Sequence, residues 1–124
     1  MTSKTSIKKE LDALWYEIQH KIHRRCLICN EFGVEIHHLI PKSHILTAWD
    51  LENGVALTPR FHRTDRAMSA HGSPAVFRDY LKEYEPKIYE YLVENEHRTA
   101  HSLPLSWYQE KLEYLKEQLK CPTT

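Results

Sequence analysis

The sequence predicts an α+β fold in which a ββα core is flanked by an N-terminal helix and about three C-terminal helices. Three observations predict it: an apolar stripe at helical spacing near the N-terminus, two short strand-like runs joined by a loop, and a C-terminal half built of capped amphipathic segments. The 124 residues suit one domain, with 1–25 as the N-terminal helix, 26–71 as the ββα core and 72–124 as a helical extension.

In the first segment Ile7, Leu11, Leu14, Ile18 and Ile22 form one stripe of a 3.6-residue period, with Lys8, Lys9, Asp12 and Glu17 on the solvated side. Arg24 and Arg25 lead into Cys26–Asn30, where the helix should stop and the chain turn. Val34, Glu35 and Ile36 alternate as in a half-buried strand and run into His37 and His38. Pro41 ends that strand, because it lacks an N–H for the ladder. Residues 42–53 read as a loop closed by the turn pair Asn53 and Gly54. Gly54–Leu57 is the second strand, stopped by Pro59, and a helix is expected to begin near Phe61 and His62. Ser73 and Pro74 supply an N-cap and a first-turn proline for the next helix, whose apolar face is Val76, Phe77, Tyr80, Leu81 and Tyr84. Pro86 opens another, carrying Ile88, Tyr91 and Leu92. After a polar connection over 95–103, Ser106 and Gln109 have capping-box spacing, and Tyr108, Leu112, Leu115 and Leu119 make the last stripe. These tail helices read as core.

Composition excludes several classes. Apolar residues make up 41% and charged ones 27%, as in a soluble globular protein rather than a disordered one. No apolar run is long enough to span a membrane, and Met1–Glu10 is polar and basic, unlike a secretory leader. Three cysteines, an odd number, argue against a disulfide framework and fit a reducing, cytoplasmic setting. Basic and acidic side chains cancel at 17 each, so no strongly basic surface announces a nucleic-acid partner. Histidine is the unusual feature. There are nine, and seven of them (His20, His23, His37, His38, His44, His62 and His71) lie in the first 71 residues. Histidine is both the commonest metal ligand and the general base best matched to neutral pH.

Taken singly, each histidine has a bland explanation, and Asn53 before Gly54 is simply what a turn wants. Their order is informative. A strand ending in His37 and His38, a turn asparagine at 53 and a histidine at 62 gather nitrogen donors around one ββα unit. This stretch, Val34–Ser43 followed by Trp49–Leu57 and Phe61–Arg63, resembles the His-Asn-His (HNH) endonucleases of the ββα-metal group, the likeness covering about residues 26–77. It is nearest in flavour to the small HNH proteins of phages and bacteria, and its histidine-only ligands are similar to those of colicin-type nuclease toxins.

The resemblance implies metal-dependent hydrolysis of DNA phosphodiesters leaving 5′-phosphate and 3′-hydroxyl ends. It makes His38 the general base, lying beside the metal; His37 a metal ligand; Asn53 the brace that orients His38; and His62 the second ligand. Because neighbours in a strand point to opposite faces, the histidine pair is expected where the strand gives way to a loop. For the third ligand the family's position falls on Arg66. His71, in a His-x-x-Pro-x-x-Phe run displaced by about five residues, is preferred over Asp65, which Arg63 and Arg66 flank. Imidazole ligands favour one divalent transition ion (zinc, nickel or manganese) over magnesium, although manganese or magnesium can support turnover where zinc is bound.

Many HNH proteins carry a structural zinc on two Cys-x-x-Cys pairs. Cys26 and Cys29 match the first pair, but Thr58 and Phe61 stand where the second belongs, which excludes a four-cysteine site. The pair either binds zinc with a histidine such as His44 or His23, or is two small thiols in a tight turn. No role is assigned to Cys121.

Residues 1–71 carry a net +2 (ten basic, eight acidic) and residues 72–124 a net −2 (seven basic, nine acidic). Lys42, Arg60, Arg63 and Arg66 surround the motif and are candidates for phosphate contacts, set against the alternative of ordinary solvated charges. Such contacts position a strand without reading bases, so low sequence specificity and a nicking or structure-directed activity are expected, possible beside a larger phage or host protein. Two alternatives stand: a catalytically inactive, metal-bound nucleic-acid- or protein-binding module of HNH descent, and a toxin-like nuclease acting on RNA.

Overall fold

The computed structural model describes residues 3–120, so Cys121 lies outside the described residues. The chain is a mixed α+β protein, mostly helical, with a two-stranded antiparallel sheet. Helix α1 spans Lys4–Ile22 and strand β1 Glu35–His38. A 3₁₀ turn at Leu51–Asn53 leads into β2, Gly54–Leu57. Helices α2 (Pro74–Tyr84), α3 (Pro86–Asn95) and α4 (Leu105–Lys120) complete the order. No helix among the described residues is long and apolar enough to cross a membrane.

Ser3 starts α1 by accepting a hydrogen bond from the Ser6 N–H through its side chain. The buried face of the helix is Ile7, Leu11, Trp15 and Ile18. Trp15 continues the stripe from Leu11 at a spacing of four, whereas Ile22, placed on that stripe by its spacing, lies 45% exposed past the edge of the core. Between α1 and β1 the Cys26–Asn30 segment is a tight turn. The Cys26 N–H donates to Glu31 O and the Asn30 N–H to Cys26 O, with Asn30 and Gly33 at positive φ.

In the sheet, Glu35 faces Leu57, Ile36 faces Ala56, His37 faces Val55 and His38 faces Gly54. Side chains alternate across it and divide the core in two. Ile36 and Ala56 join Trp15, Trp49, Tyr108, Leu112 and Leu115 between α1 and α4. Val55 and Leu57 join Cys26, Ile40, Phe77, Leu81 and Leu92 against α2 and α3. Gly54 is needed where α1 crosses β2, because a Cβ there would sit 2.4 Å from Gln19 Oε1 and 3.0 Å from the Trp15 ring. The 49–53 segment ties both halves together: Trp15 Nε1 donates to Asp50 O, Gln19 Nε2 to Leu51 O, and Tyr91 Oη to the Asp50 carboxylate.

Four sequence expectations need correction. No regular helix starts at Phe61 and His62. Arg60–Thr64 is a single π-helical turn, and the next regular helix waits until Pro74, because Asp65 folds the intervening residues into a loop of their own. Ser73 is the N-cap of α2, but its hydroxyl donates to the Arg66 carbonyl instead of capping the helix. On α2, Phe77 and Leu81 are buried while Val76 and Tyr84 are exposed, so its apolar face is narrower than the stripe suggested. Finally, α4 begins at Leu105, one residue ahead of Ser106, which removes Ser106 from the N-cap position a capping box requires. Tyr108, Leu112 and Leu115 are buried against α1 as expected.

Candidate metal centre and the cleft beside it

His37, His62 and His71 come together, each offering one ring nitrogen, with all three nitrogens within 4.8 Å of one another. The backbone explains the convergence. His37 projects from the face of β1 that carries Glu35 and packs near Phe77, with ring centroids 5.8 Å apart. The π-helical turn and the 70–71 segment are clamped by two backbone hydrogen bonds, Ala70 N–H to Phe61 O and His71 N–H to His62 O, which set His62 and His71 side by side. The loop between them is held by Asp65, whose Oδ1 accepts from the Ala67 and Met68 N–H groups while Oδ2 pairs with Arg60 Nε. The Gly72 N–H donates to Ser69 Oγ at 2.8 Å, and a Cβ at that glycine would sit 2.4 Å from the same oxygen. Asp65, weighed above as an alternative ligand, therefore builds the loop instead of facing the trio.

The donor set fits a metal ion. His62 Nε2 and His71 Nε2 are 3.1 Å apart. Two nitrogens bound tetrahedrally at ~2.0–2.1 Å to one zinc ion are separated by about 3.3–3.4 Å, so little movement is required. Glu35 Oε1 accepts from His62 Nδ1 at 2.8 Å, which places the His62 proton on Nδ1 and leaves Nε2 free to ligate. Burial, reinforced by His62, His71 and His38, pushes His37 down to about 3, and burial also lowers His71 with help from His62 and Arg63. Both rings thus present lone pairs at neutral pH. Glu35 is held below the usual carboxylate range chiefly by the His62 hydrogen bond, with Arg63 adding to it. Three histidines able to hold one ion are what the site provides.

His38 lies next in the chain but outside the trio. Both histidines belong to β1 and are its last two residues, at the point where the loop takes over from the strand. Its alternation turns His38 toward α1, where the ring stacks on Trp15 at a centroid distance of 4.0 Å and an interplanar angle of 14°. His38 Nε2 is 3.0 Å from the Ala48 carbonyl oxygen. A carbonyl only accepts, so Nε2 carries the proton and Nδ1 keeps a free lone pair. Burial lowers the His38 pKa, the Ala48 carbonyl opposes this, Lys42 adds to the lowering and Asp12 counters it.

Asn53 is fully buried. Its Nδ2 donates to the carbonyls of Ile40 and Thr47, both at 3.0 Å, and its Oδ1 accepts the Ile40 N–H at 2.7 Å. The brace therefore acts on the backbone on both sides of the 41–48 loop. It reaches His38 indirectly, through the loop that carries the Ala48 carbonyl.

His37, His38, His62 and His71 all line a cleft of about 950 Å³, with Tyr16, Lys42, His44, Pro74, Arg78 and His97 among its other walls. Of the four proposed phosphate contacts, Lys42 alone lines it. Lys42 is paired with Asp12 at 2.6 Å, Arg60 with Asp65 at 3.0 Å and Arg63 with Glu35 at 2.7 Å. Arg66 is exposed. Arg78, overlooked in the sequence, lines the cleft in a two-point pair with Glu96. Glu35 was overlooked as well, although its position two residues before His37 put it on the same strand face.

Among the described residues Cys26 and Cys29 gather no third donor. The histidine trio is the sole group of three His, Cys, Asp or Glu residues among those described whose ligand atoms converge, and neither His44 nor His23 joins the cysteines. The Thr58 hydroxyl sits 3.8 Å from both sulfurs instead. Burial raises the Cys26 pKa, but backbone hydrogen bonds from Cys29, Thr58 and Ile28 outweigh it and leave the thiol below its ordinary value.

Comparison with protein-family models, with curated proteins and with solved structures returns no match.

Proposed function

We propose that the protein is a metal-dependent endonuclease of the HNH type, hydrolysing DNA phosphodiesters with little sequence preference. In this reading β1, the 39–53 loop, β2 and the π-helical turn are a ββα-metal core whose helix is cut to one turn. The observation that carries it is a division of labour among four imidazoles in one cleft. Three converge as ligands, and the fourth, His38, stays outside with a free Nδ1.

His37, His62 and His71 would hold the ion, a zinc, nickel or manganese class of cation by ligand type. When bound, it supplies positive charge to the phosphoryl oxygens and the leaving oxygen. His38 Nδ1 takes a proton from water as that water attacks phosphorus. The P–O bond to the 3′-oxygen breaks, and the 3′-oxygen is protonated from solvent. The imidazolium so formed is stabilised by the Ala48 carbonyl on Nε2–H and by the Trp15 face stacked against it. Glu35 fixes the His62 tautomer, and Asn53 keeps the Ala48 loop in place. Because most cations near the site are paired with the chain's own carboxylates, DNA affinity should be modest and salt-sensitive. That suits nicking, or work beside a larger phage or host partner.

Supercoiled plasmid and structured RNA, each incubated with manganese, magnesium, nickel or zinc, test the reading. Relaxation of plasmid that EDTA abolishes supports it. His38→Gln should stop cleavage while metal content stays normal, whereas His37→Gln should lose both. Cleavage of RNA alone would assign the site to a toxin-like ribonuclease. Metal binding with neither polymer cut would make the protein a binding module.

A further inference from the structure

Beyond the metal trio and His38 the cleft is lined by two further imidazoles, the exposed His97 and His44. His44 is half-buried, and its Nδ1 is sealed from solvent with no hydrogen-bond partner in the protein. Orphaned buried N–H groups are rarer in folded proteins than under-used acceptors. The least costly neutral tautomer therefore carries its proton on Nε2 and leaves a bare lone pair at Nδ1. Nε2 is not among the sealed, unpartnered atoms and the residue lines the cleft, which leaves Nε2–H as the ring donor available there.

The backbone that carries the ring is held on both sides. The His44 N–H donates to Pro41 O at 2.9 Å, and His44 O accepts from both the Thr47 N–H and the Thr47 hydroxyl at 3.2 Å. Thr47 O in turn accepts from Asn53 Nδ2, and Ala48, the next residue, receives the His38 Nε2 proton. One braced loop thus sets the positions of both the proposed base and His44. A ring N–H carried on a braced loop beside a reacting phosphate needs little reorganisation as charge develops. The nearest cation on this wall, Lys42, is already engaged by Asp12.

We propose that His44 faces the substrate, its Nε2–H donating a hydrogen bond to a phosphoryl oxygen of the strand in the cleft. The assignment rests on the phosphodiesterase reading of the site.

Its test has two arms. The first compares plasmid nicking by His44→Phe, which keeps a ring without the donor, and His44→Gln, which restores an N–H at similar reach. His44→Phe should slow kcat about 10- to 100-fold, below the ~10²–10³ lost with the best oxyanion donors. His44→Gln should recover part of that, and both should bind manganese as the unaltered protein does by calorimetry. Nicking by His44→Phe at the unaltered rate would overturn the proposal, as would loss of metal in both variants. The second arm needs no turnover: ¹⁵N-imidazole spectra of the zinc-loaded protein titrated with inorganic phosphate. A His44 ring protonated on Nε2 whose signal moves with phosphate supports the proposal. A proton on Nδ1, or no movement, defeats it. Failure of the nuclease reading would show separately, as an unaltered protein that nicks nothing.

Discussion

Replacing Asn53 by alanine removes three hydrogen bonds at a site with no solvent access. The side chain satisfies both backbone groups of Ile40 at one end of the loop and, at the other, shares the Thr47 carbonyl with the Asp50 N–H. A typical hydrogen bond contributes about 1 kcal/mol net, and a buried group left unpartnered costs roughly 1–3 kcal/mol. Allowing for overlap between these terms and some relaxation, Asn53→Ala should cost about 3–5 kcal/mol. That is a large fraction of the roughly 5–15 kcal/mol that keeps a domain folded. Urea denaturation followed by the fluorescence of Trp15 and Trp49 measures it, with a midpoint about 2 M lower for a slope of ~2 kcal/mol/M. Asn53→Asp should be at least as damaging, since a carboxylate would face the carbonyls of Ile40 and Thr47. A loss below about 1 kcal/mol, within the range of ordinary surface substitutions, would refute the claim that this side chain locks the loop.

Further outcomes follow from the geometry. Glu35→Gln, which weakens the acceptor for His62 Nδ1, should reduce zinc affinity about 10- to 100-fold by calorimetry; an unchanged affinity would remove Glu35 from the site. Gly72→Ala forces a methyl group to within 2.4 Å of Ser69 Oγ and 3.1 Å of Asp65 O, and should cost about 1–3 kcal/mol while weakening metal binding through its neighbour His71. A wild-type melting temperature together with wild-type affinity would show that the loop adapts. The Glu96 carboxyl is held below the usual range by its hydrogen bonds to Arg78. Since the folded value lies below the unfolded one, this stabilisation is present above the unfolded carboxylate pKa of about 4.3 and is lost as pH falls through the folded value. With Arg78 39% exposed, solvent screening limits it to under about 1 kcal/mol. Arg78→Met should therefore destabilise slightly at pH 7 and not at all near pH 2; an equal effect at both would locate the contribution in packing.

The elements most legible in the sequence were those whose pattern is local. Periodicity located α1, which ends at Ile22 instead of 25, and α4 to within a residue; Pro86 located α3, and alternation broken by Pro41 and Pro59 located both strands. The failure at Phe61–His62 has a physical cause that no periodicity reveals. Asp65 offers its carboxylate to the N–H groups of Ala67 and Met68, and this competes with helix propagation. The same loop brings His71 back to His62, so the displacement that made the third ligand ambiguous is what allows it to reach the trio. The cations were misjudged for a different reason. Lys42 meets Asp12 across thirty residues and Arg63 meets Glu35 across twenty-eight, and such partners are invisible to a count of charges along the chain.

A His-His pair can serve two tasks because a strand separates its neighbours. The pleat turns the His37 ring toward Phe77, His62 and His71, and turns the His38 ring toward Trp15. Were both on a helix or a loose turn, the second imidazole would be free to approach the ion, and a ring bound through its lone pair accepts no proton. Here the backbone of β1 stands between them, and Trp15 and the Ala48 carbonyl hold His38 in its place. The sheet has only two strands, and β1 pairs with β2 along one edge. Among the described residues its other edge carries no strand, and rings from both faces of one short strand line a single cleft. A third strand on that edge would wall the two imidazoles into separate halves of the core. The small size of the sheet is what brings ligand and base to the same phosphodiester in the proposed reaction.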